Sequence, residues 1–158
     1  MDKFDIAIVG GGPGGYVAAI KASQLGYSVC LFEEDKLGGV CLNWGCIPTK
    51  SLLHTAEFIE KSKNYGLSED VLKKLTLDVI VQKSRQASDN LSKGVTSLMK
   101  KNKIEVFNVR VFPKKSNDNF VFDIGDKKIV TSKYCILATG CNPRKLMNME
   151  FDESIWSS

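Results

Sequence analysis

The hydrophobic pattern at the N-terminus predicts a strand, a glycine-rich turn, a helix and a second strand. Residues 4–9 form a short apolar run that leads directly into the glycine-rich residues 10–15. Residues 16–25 have apolar positions at helical spacing, and Gly26 follows them. Residues 28–33 are again strand-like. The four segments make a βαβ unit of about 30 residues, the size expected for a parallel crossover.

Two longer helices are predicted in the middle of the chain. Residues 51–65 place apolar side chains on one face, and Gly66 follows as a C-terminal cap. Residues 77–99 repeat apolar side chains three, four or seven positions apart. The repeating positions are Leu52, Leu53, Ala56 and Ile59 in the first helix, and Ile80, Ala87, Leu91, Val95 and Leu98 in the second.

The C-terminal third has the pattern of β-structure. Residues 104–112, 119–124 and 128–130 are short runs separated by turn residues, and they predict a three-stranded antiparallel β-meander. Residues 134–138 are continuously apolar, as in a buried parallel strand, so the chain is expected to return to the first sheet. The predicted fold class is α/β: a Rossmann-like domain with a parallel sheet, flanking helices and the meander.

Composition narrows the functional classes. With 158 residues, 43% hydrophobic and 25% charged, the chain can form one globular core. The apolar run at residues 6–9 is too short for a membrane span or a signal peptide, so we expect no membrane association and a cytoplasmic protein. The net charge of +4 comes from lysines scattered over several segments, which favours a solvated surface over nucleic-acid binding.

The five cysteines fall into different settings. Cys30 and Cys135 lie in strand-like runs, where a thiol usually behaves as a small buried hydrophobe. Cys41 and Cys46 are five positions apart, a spacing that zinc could tolerate. A structural zinc needs four ligands, however, and the single histidine, His54, lies on a predicted helix without a second cysteine pair. Redox chemistry is therefore favoured over metal binding, and we expect no metal.

A glycine fingerprint lies between the first strand and the first helix. Gly10 allows a tight turn, Gly12 lets the backbone approach a pyrophosphate, and Gly15 permits close packing of helix on strand. Glu33 ends the second strand and would accept hydrogen bonds from a ribose. The alternative is a glycine-rich turn without a ligand. The glycines alone do not distinguish NAD from FAD.

The segment around the cysteine pair, residues 38–50, has the features of a redox site. In a regular helix, residues five apart are separated by about 7.5 Å of rise, too far for a disulfide. An oxidised Cys41–Cys46 pair therefore requires a distorted turn, which Gly45 permits. Pro48 is suited to a first helical turn, where a nearby thiolate is stabilised. Two buried thiols beside a glycine turn remain the alternative.

This segment resembles the redox-active motif of the class I pyridine nucleotide-disulfide oxidoreductases, G-G-x-C-L-N-x-G-C-I-P-[ST]-K. Leu42 and Ile47-Pro48 resemble the lipoamide-type members, whereas glutathione and mercuric reductases usually carry valine at the corresponding positions. Trp44 departs from the usual residue between the cysteines. Residues 134–140 are similar to the second FAD motif of that family, so the resemblance covers nearly the whole chain.

The resemblance implies roles for individual residues. Cys41 corresponds to the thiol that exchanges with substrate, Cys46 to the charge-transfer thiol, and Lys50 to the lysine beside the flavin N5. A cation at that place would stabilise negative charge developing on the flavin. The implied FAD-binding residues are Gly10, Gly12, Pro13, Gly14, Gly15, Glu33, Glu34, Gly38, Gly39, Val40, Cys41, Lys50, Arg110, Thr139, Gly140 and Cys141.

The resemblance also implies an activity. Dihydrolipoamide would reduce the cysteine pair, the pair would reduce FAD, and FAD would reduce NAD⁺. We expect residues 1–145 to form the FAD-binding domain, and residues 146–158 to be a linker toward an NAD-binding domain of a longer homodimeric protein. By itself the chain is then expected to be inactive. The implied partner is the lipoyl group of 2-oxo acid dehydrogenase complexes. A non-catalytic FAD-binding module and a reductase of another disulfide remain alternatives.

Overall fold

A computed structural model describes residues 2–144 and Met147. The predicted linker, residues 146–158, lies outside the described residues except for Met147. The elements in chain order are β1 (Asp2–Val9), α1 (Pro13–Gln24), β2 (Val29–Glu33), α2 (Gly39–Asn43), α3 (Cys46–Asn64), α4 (Glu69–Leu72), α5 (Leu77–Lys101), β3 (Glu105–Asn108), β4 (Lys114–Ser116), β5 (Asn119–Asp123) and β6 (Ile129–Leu137).

The strands form one six-stranded mixed sheet with the order β3-β2-β1-β6-β5-β4. The first four strands in this order run parallel, and β6, β5 and β4 are antiparallel neighbours. The predicted class, a Rossmann-like α/β fold with a parallel sheet and an antiparallel meander, is confirmed. Among the described residues, no helix is both long enough and apolar enough to cross a bilayer.

Both faces of the parallel part of the sheet are buried, because alternate side chains of each strand point to opposite faces. On one face, Ile8 and Leu31 pack against residues of α1 and α5, including Ala19 and Met99. On the other face, an aromatic stack is centred on Phe32, whose ring centroid lies 4.8 Å from that of Phe122 and 5.3 Å from that of Phe107. A strand covered on both sides leaves its carboxyl end as the accessible part.

The predicted helices are present with shifted ends. The first begins at Pro13, since proline lacks the N–H that the first helical turn leaves unpaired. The helix predicted at residues 51–65 begins at Cys46, so the second cysteine of the pair is its first residue. The long helix α5 is capped by Thr76, whose Oγ1 accepts a hydrogen bond from the Val79 N–H at 3.4 Å. The short helices α2 and α4 were not predicted.

Two parts of the predicted meander were wrong. The run at residues 104–112 is not its first strand: β3 pairs in parallel with β2, and the meander begins at β4. In β3, Val106 and Phe107 each pack against one of the two core clusters, so this strand has the two-sided burial of a parallel sheet. The runs at 128–130 and 134–138 are one strand, β6, because Thr131 and Ser132 between them are buried and paired.

Candidate functional site

The glycine-rich turn lies at the carboxyl edge of the parallel strands. Gly10 has φ +103°, and its N–H donates to the carbonyl of Phe32 at 2.8 Å. A Cβ at Gly10 would lie 2.7 Å from the carbonyl carbon of Ala138, at the end of β6. Gly10 is therefore explained both by its backbone conformation and by the close approach of a neighbouring strand. The turn is held between the ends of β2 and β6.

The other fingerprint glycines differ in what surrounds them. A Cβ at Gly15 would collide with the carbonyl oxygen of Gly10, so this glycine is required by helix packing. A Cβ at Gly12 would meet only the Cα of Gly39, at the ordinary contact distance of 3.6 Å. Gly12 has φ −73°, which any residue can adopt. The protein's own packing therefore explains Gly15 but leaves Gly12 open to a ligand.

Glu33 is fixed beside the turn by two hydrogen bonds. Its Oε2 accepts from the Gly11 N–H at 2.7 Å, and its Oε1 accepts from the Asp35 N–H at 2.9 Å. Each carboxylate oxygen has more than one lone pair, so both can still accept from a ligand hydroxyl. The predicted acid thus lies at the end of β2, within reach of the turn, in an orientation set by the backbone.

The segment at residues 38–40 packs directly on the glycine turn. The Gly38 N–H donates to the Gly11 carbonyl at 2.9 Å. Gly39 lies so close that a Cβ there would be 2.9 Å from the Gly12 Cα and 3.0 Å from the Pro13 Cδ. The side chain of Val40 is half exposed. This contact joins the redox segment to the predicted phosphate site.

The other residues predicted to bind FAD lie at different distances from the glycine turn, near the carboxyl edge of the sheet. Thr139 adjoins the turn, since its nitrogen would be 3.1 Å from a Cβ at Gly10. Gly140 has φ +69°, and Cys141 after it is exposed. The Arg110 Nε lies 3.5 Å from the Glu34 Oε2, which places both side chains beyond the ends of β2 and β3. Roles for these residues in FAD binding stay predictions.

Cys41 and Cys46 form a disulfide between two helices, with their Cα atoms 4.7 Å apart. The first cysteine is in α2 and the second begins α3, so the continuous helix that would separate them is broken. At the break, a Cβ on Gly45 would lie 3.3 Å from both the Cys41 Cα and the Val40 carbonyl oxygen. Gly45 favours this close approach, because a Cβ at that distance would be tighter than an ordinary contact; its φ is −115°, not positive.

The sulfur of Cys46 belongs to the first residue of a 19-residue helix. Unpaired N–H groups and the helix dipole at this end favour a thiolate over a thiol. Pro48 is buried in the same first turn, as predicted. Lys50 is exposed and lies four residues after Cys46, which places it on the same face of α3. Both cysteines are exposed.

Asn43 anchors the redox segment, and sequence reasoning did not single it out. Its side chain is buried, and the Nδ2 group faces the carbonyls of Lys36, Leu37 and Gly39 at 3.4, 3.2 and 3.1 Å. The Oδ1 atom is buried and has no partner among the described residues. Nothing in residue spacing signals such a role, because the partners are backbone atoms positioned by folding.

The other thiols and His54 are separate from this chemistry. Burial raises the pKa of the Cys30 thiol to about 12, which keeps it protonated and unreactive. Burial also raises the pKa of Cys135. His54 lies exposed on α3 beside an apolar cleft that Phe58 and Leu75 also line. Within residues 2–144, no three histidine, cysteine or acidic side chains are grouped to hold a metal ion.

The comparisons with known proteins agree with this geometry. The family model described as "Pyridine nucleotide-disulphide oxidoreductase" matches residues 4–155, so the chain belongs to that family. The predicted family and its FAD cofactor are confirmed. The residues present suit such a dinucleotide, because Gly12 leaves the backbone open at a helix N-terminus, where a pyrophosphate is attracted.

Relatives cover the chain almost completely. Dihydrolipoyl dehydrogenase of Zymomonas mobilis is 44% identical over 99% of this chain and 34% of its own length. Dihydrolipoyl dehydrogenase of Rhizobium etli is 39% identical over 99% of this chain and 36% of its own length. Leghemoglobin reductase of Vigna unguiculata is 39% identical over 96% of this chain and 30% of its own length. The chain thus spans about a third of these relatives.

A solved structure supports the fold. The flavoprotein disulfide reductase RclA from Escherichia coli, induced by HOCl and solved as a Cu(II) complex, superposes with a TM-score of 0.67 at 22% identity. The match covers 89% of this chain and 29% of that one. At this identity the likeness concerns the architecture alone.

Proposed function

We propose that the chain is the FAD-binding and dithiol-exchanging part of a dihydrolipoamide dehydrogenase, which converts dihydrolipoamide and NAD⁺ to lipoamide and NADH. The observation that carries the proposal is the contact between its two sites. Gly39, two residues before Cys41, packs on Gly12 in the glycine turn, so the disulfide and the predicted pyrophosphate site share one surface. Electron transfer from thiols to a flavin requires this proximity.

The cofactor site is supported by its preorganised backbone. The open face of Gly12, the N-terminus of α1 and the fixed carboxylate of Glu33 offer a pyrophosphate and a ribose their expected partners. FAD bound there would accept an electron pair from a thiolate and deliver a hydride to NAD⁺. Residues 1–145 are proposed to be its binding domain, and residues 146–158 the linker that follows.

The cysteine pair carries the exchange with substrate. A thiolate of dihydrolipoamide attacks the Cys41 sulfur, which breaks the Cys41–Cys46 bond and releases Cys46 as a thiolate. The second substrate thiol then attacks the mixed disulfide, which releases Cys41 and closes the lipoamide ring. Two electrons pass from substrate to protein. The first substrate thiol gives its proton to solvent before it attacks, and the second gives its proton to Cys41, so Cys46 is left as a thiolate. The N-terminus of α3 stabilises the Cys46 thiolate, and Lys50 supplies a positive charge on the same helix face.

Partners and location are part of the proposal. The partner is the lipoyl group of 2-oxo acid dehydrogenase complexes, which the name dihydrolipoyl dehydrogenase of the relatives in Zymomonas and Rhizobium supports. The whole enzyme is proposed to be a homodimer. Free thiols at Cys30, Cys135 and Cys141 support a reducing compartment, proposed to be the cytoplasm. Two relatives, from pea and Arabidopsis, are named as mitochondrial, so cell fractionation is the check.

The experiment is anaerobic reduction of the FAD-loaded chain with dihydrolipoamide, followed by absorbance. We expect a long-wavelength charge-transfer band, because a Cys46 thiolate beside the flavin donates charge to it. Cys46→Ser should lack this band, whereas Cys41→Ser should show it before any reductant is added, since Cys46 is then free. Cys135→Ser is the matched control, because this thiol is free, lies outside the disulfide and is not among the predicted FAD-binding residues.

The outcomes separate the alternatives. FAD bound without a band in the unsubstituted protein would indicate a non-catalytic FAD-binding module and refute the proposal. Substrate specificity is decided with equal concentrations of dihydrolipoamide and glutathione. Faster flavin reduction by glutathione would refute the lipoamide assignment and indicate a related reductase.

A further inference from the structure

Helix α5 contacts residues 36–46, which we call the redox loop, through three polar side chains on one face. Arg85, Asp89 and Ser92 are spaced four and three residues apart, so they point the same way from α5. Asp89 accepts from the Lys36 Nζ at 3.2 Å, and the Ser92 Oγ donates to the Leu37 carbonyl at 2.9 Å. These two contacts attach the start of the redox loop to α5.

Arg85 attaches the part of the redox loop between the two cysteines. Its Nη1 donates to the Asn43 carbonyl at 3.1 Å, and its guanidinium carbon lies 5.1 Å from the centre of the Trp44 ring. The Lys36 Nζ lies 5.7 Å from the same ring, so two cations contact Trp44. Trp44 remains 44% exposed, which leaves part of the ring at the surface beside the disulfide.

These contacts act on the segment that sets the distance between the cysteines. Asn43 is the last residue of α2, which carries Cys41, and Trp44 begins the connection to α3, which carries Cys46. When the fold holds the two reduced thiols close together, they form the disulfide more readily. Close positioning therefore stabilises the disulfide relative to the dithiol. Arg85 touches the Asn43 backbone and the Trp44 ring, and neither contact involves a sulfur.

We infer that Arg85 is a positioning residue that keeps the reduced Cys41 and Cys46 thiols together and thereby lowers the reduction potential of the pair. The inference rests on the proposed redox role of these cysteines. The direction in which the reduction potential changes in an Arg85 variant distinguishes an effect of geometry from an effect of charge. Loss of positioning makes the disulfide easier to reduce, whereas loss of a nearby positive charge would disfavour the thiolates and make it harder to reduce.

The test is equilibration of the chain with glutathione buffers. In each exchange, two glutathione thiols become one glutathione disulfide while Cys41–Cys46 becomes two thiols. Trapped thiols are counted by mass spectrometry. For Arg85→Ala we expect the equilibrium to shift toward the dithiol about threefold to tenfold, or about 15 to 30 mV, from the loss of one charge-assisted hydrogen bond to a partly exposed carbonyl.

Two variants serve as controls. Lys93→Ala removes the same charge from an exposed position on α5 and should leave the equilibrium within twofold. Arg85→Lys keeps a cationic donor, so its equilibrium should lie closer to that of the unsubstituted protein, with at most half of the shift seen in Arg85→Ala. An unchanged equilibrium in Arg85→Ala with a lowered unfolding temperature would show a structural role alone, and a shift toward the disulfide would show a charge effect. Either result overturns the inference, as does a lysine variant identical to the alanine variant.

The same assay keeps the inference separate from the proposed function. If the unsubstituted pair exchanges with glutathione but the FAD-loaded protein is not reduced by dihydrolipoamide, the proposed function fails and the positioning role stands. If thiol counts are equal with and without reductant, no redox-active disulfide forms and both fail.

Discussion

Two glycines in helices should respond in opposite ways to the same substitution. Gly15 in α1 is buried, and a Cβ there would collide with the Gly10 carbonyl oxygen and lie 2.9 Å from the carbonyl carbon. Gly94 in α5 is exposed, and a Cβ there would have no neighbour within 4 Å. Gly15→Ala therefore tests close packing, and Gly94→Ala is its matched control.

The expected magnitudes follow from these surroundings. Overpacking usually costs about 1–3 kcal/mol, and we expect the upper end at Gly15 because the opposing atoms are backbone in a turn that two strands fix. Alanine gains about 1 kcal/mol of helix propensity at either site. The net change in unfolding free energy is then a loss of about 2 kcal/mol for Gly15→Ala, and a gain of about 1 kcal/mol for Gly94→Ala.

Thermal unfolding monitored by circular dichroism measures both changes. For a chain of this size, 1 kcal/mol moves Tm by about 2–4 °C, so we expect a fall of about 4–8 °C for Gly15→Ala and a rise of about 2–4 °C for Gly94→Ala. Displacement of α1 from the turn should also weaken FAD binding in the first variant and not in the second. Shifts of the same sign, or a stabilised Gly15→Ala, would refute the packing argument.

Three further predictions concern the cofactor and the thiols. Gly12→Val should purify without FAD, because it places a branched side chain where the pyrophosphate must approach; yellow protein would contradict this. Cys41→Ser should retain FAD while losing disulfide reduction, and loss of FAD from it would show that the two sites are not separable. After reduction at pH 8, Cys141 should react rapidly with iodoacetamide, whereas Cys30, with its pKa raised to about 12, should react only as the pH rises toward that value. Rapid labelling of Cys30 at pH 8, detected by peptide mass spectrometry, would show that it is not buried.

The sequence determined the features that depend on local chemistry. The glycine fingerprint, the βαβ unit and the long helices follow from backbone freedom and apolar periodicity, which neighbouring residues express without tertiary contacts. The disulfide was also within reach of sequence reasoning. The resemblance implied the pair, and geometry added that an oxidised Cys41–Cys46 pair requires a distorted turn, which Gly45 permits; the structure has the break between α2 and α3 there.

Tertiary structure decided which strands pair and what holds the site. Sequence placed residues 104–112 in the meander because a short apolar run has the same pattern in either kind of sheet. Burial on both faces, from one core cluster at Val106 and the other at Phe107, assigns β3 to the parallel part. In β6, the polar Thr131 and Ser132 interrupted the apolar pattern, yet hydrogen bonding to both neighbouring strands keeps them within one buried strand.

The contacts that fix the redox loop could not be predicted from sequence for a related reason. Asn43 and Arg85 are 42 residues apart, and the contact between them is to a backbone carbonyl, which every residue has. A residue type signals such a contact only after folding has brought a particular carbonyl within reach. Sequence therefore predicted the cysteine pair of this protein, and the packing of α5 on the redox loop decided how the pair is held.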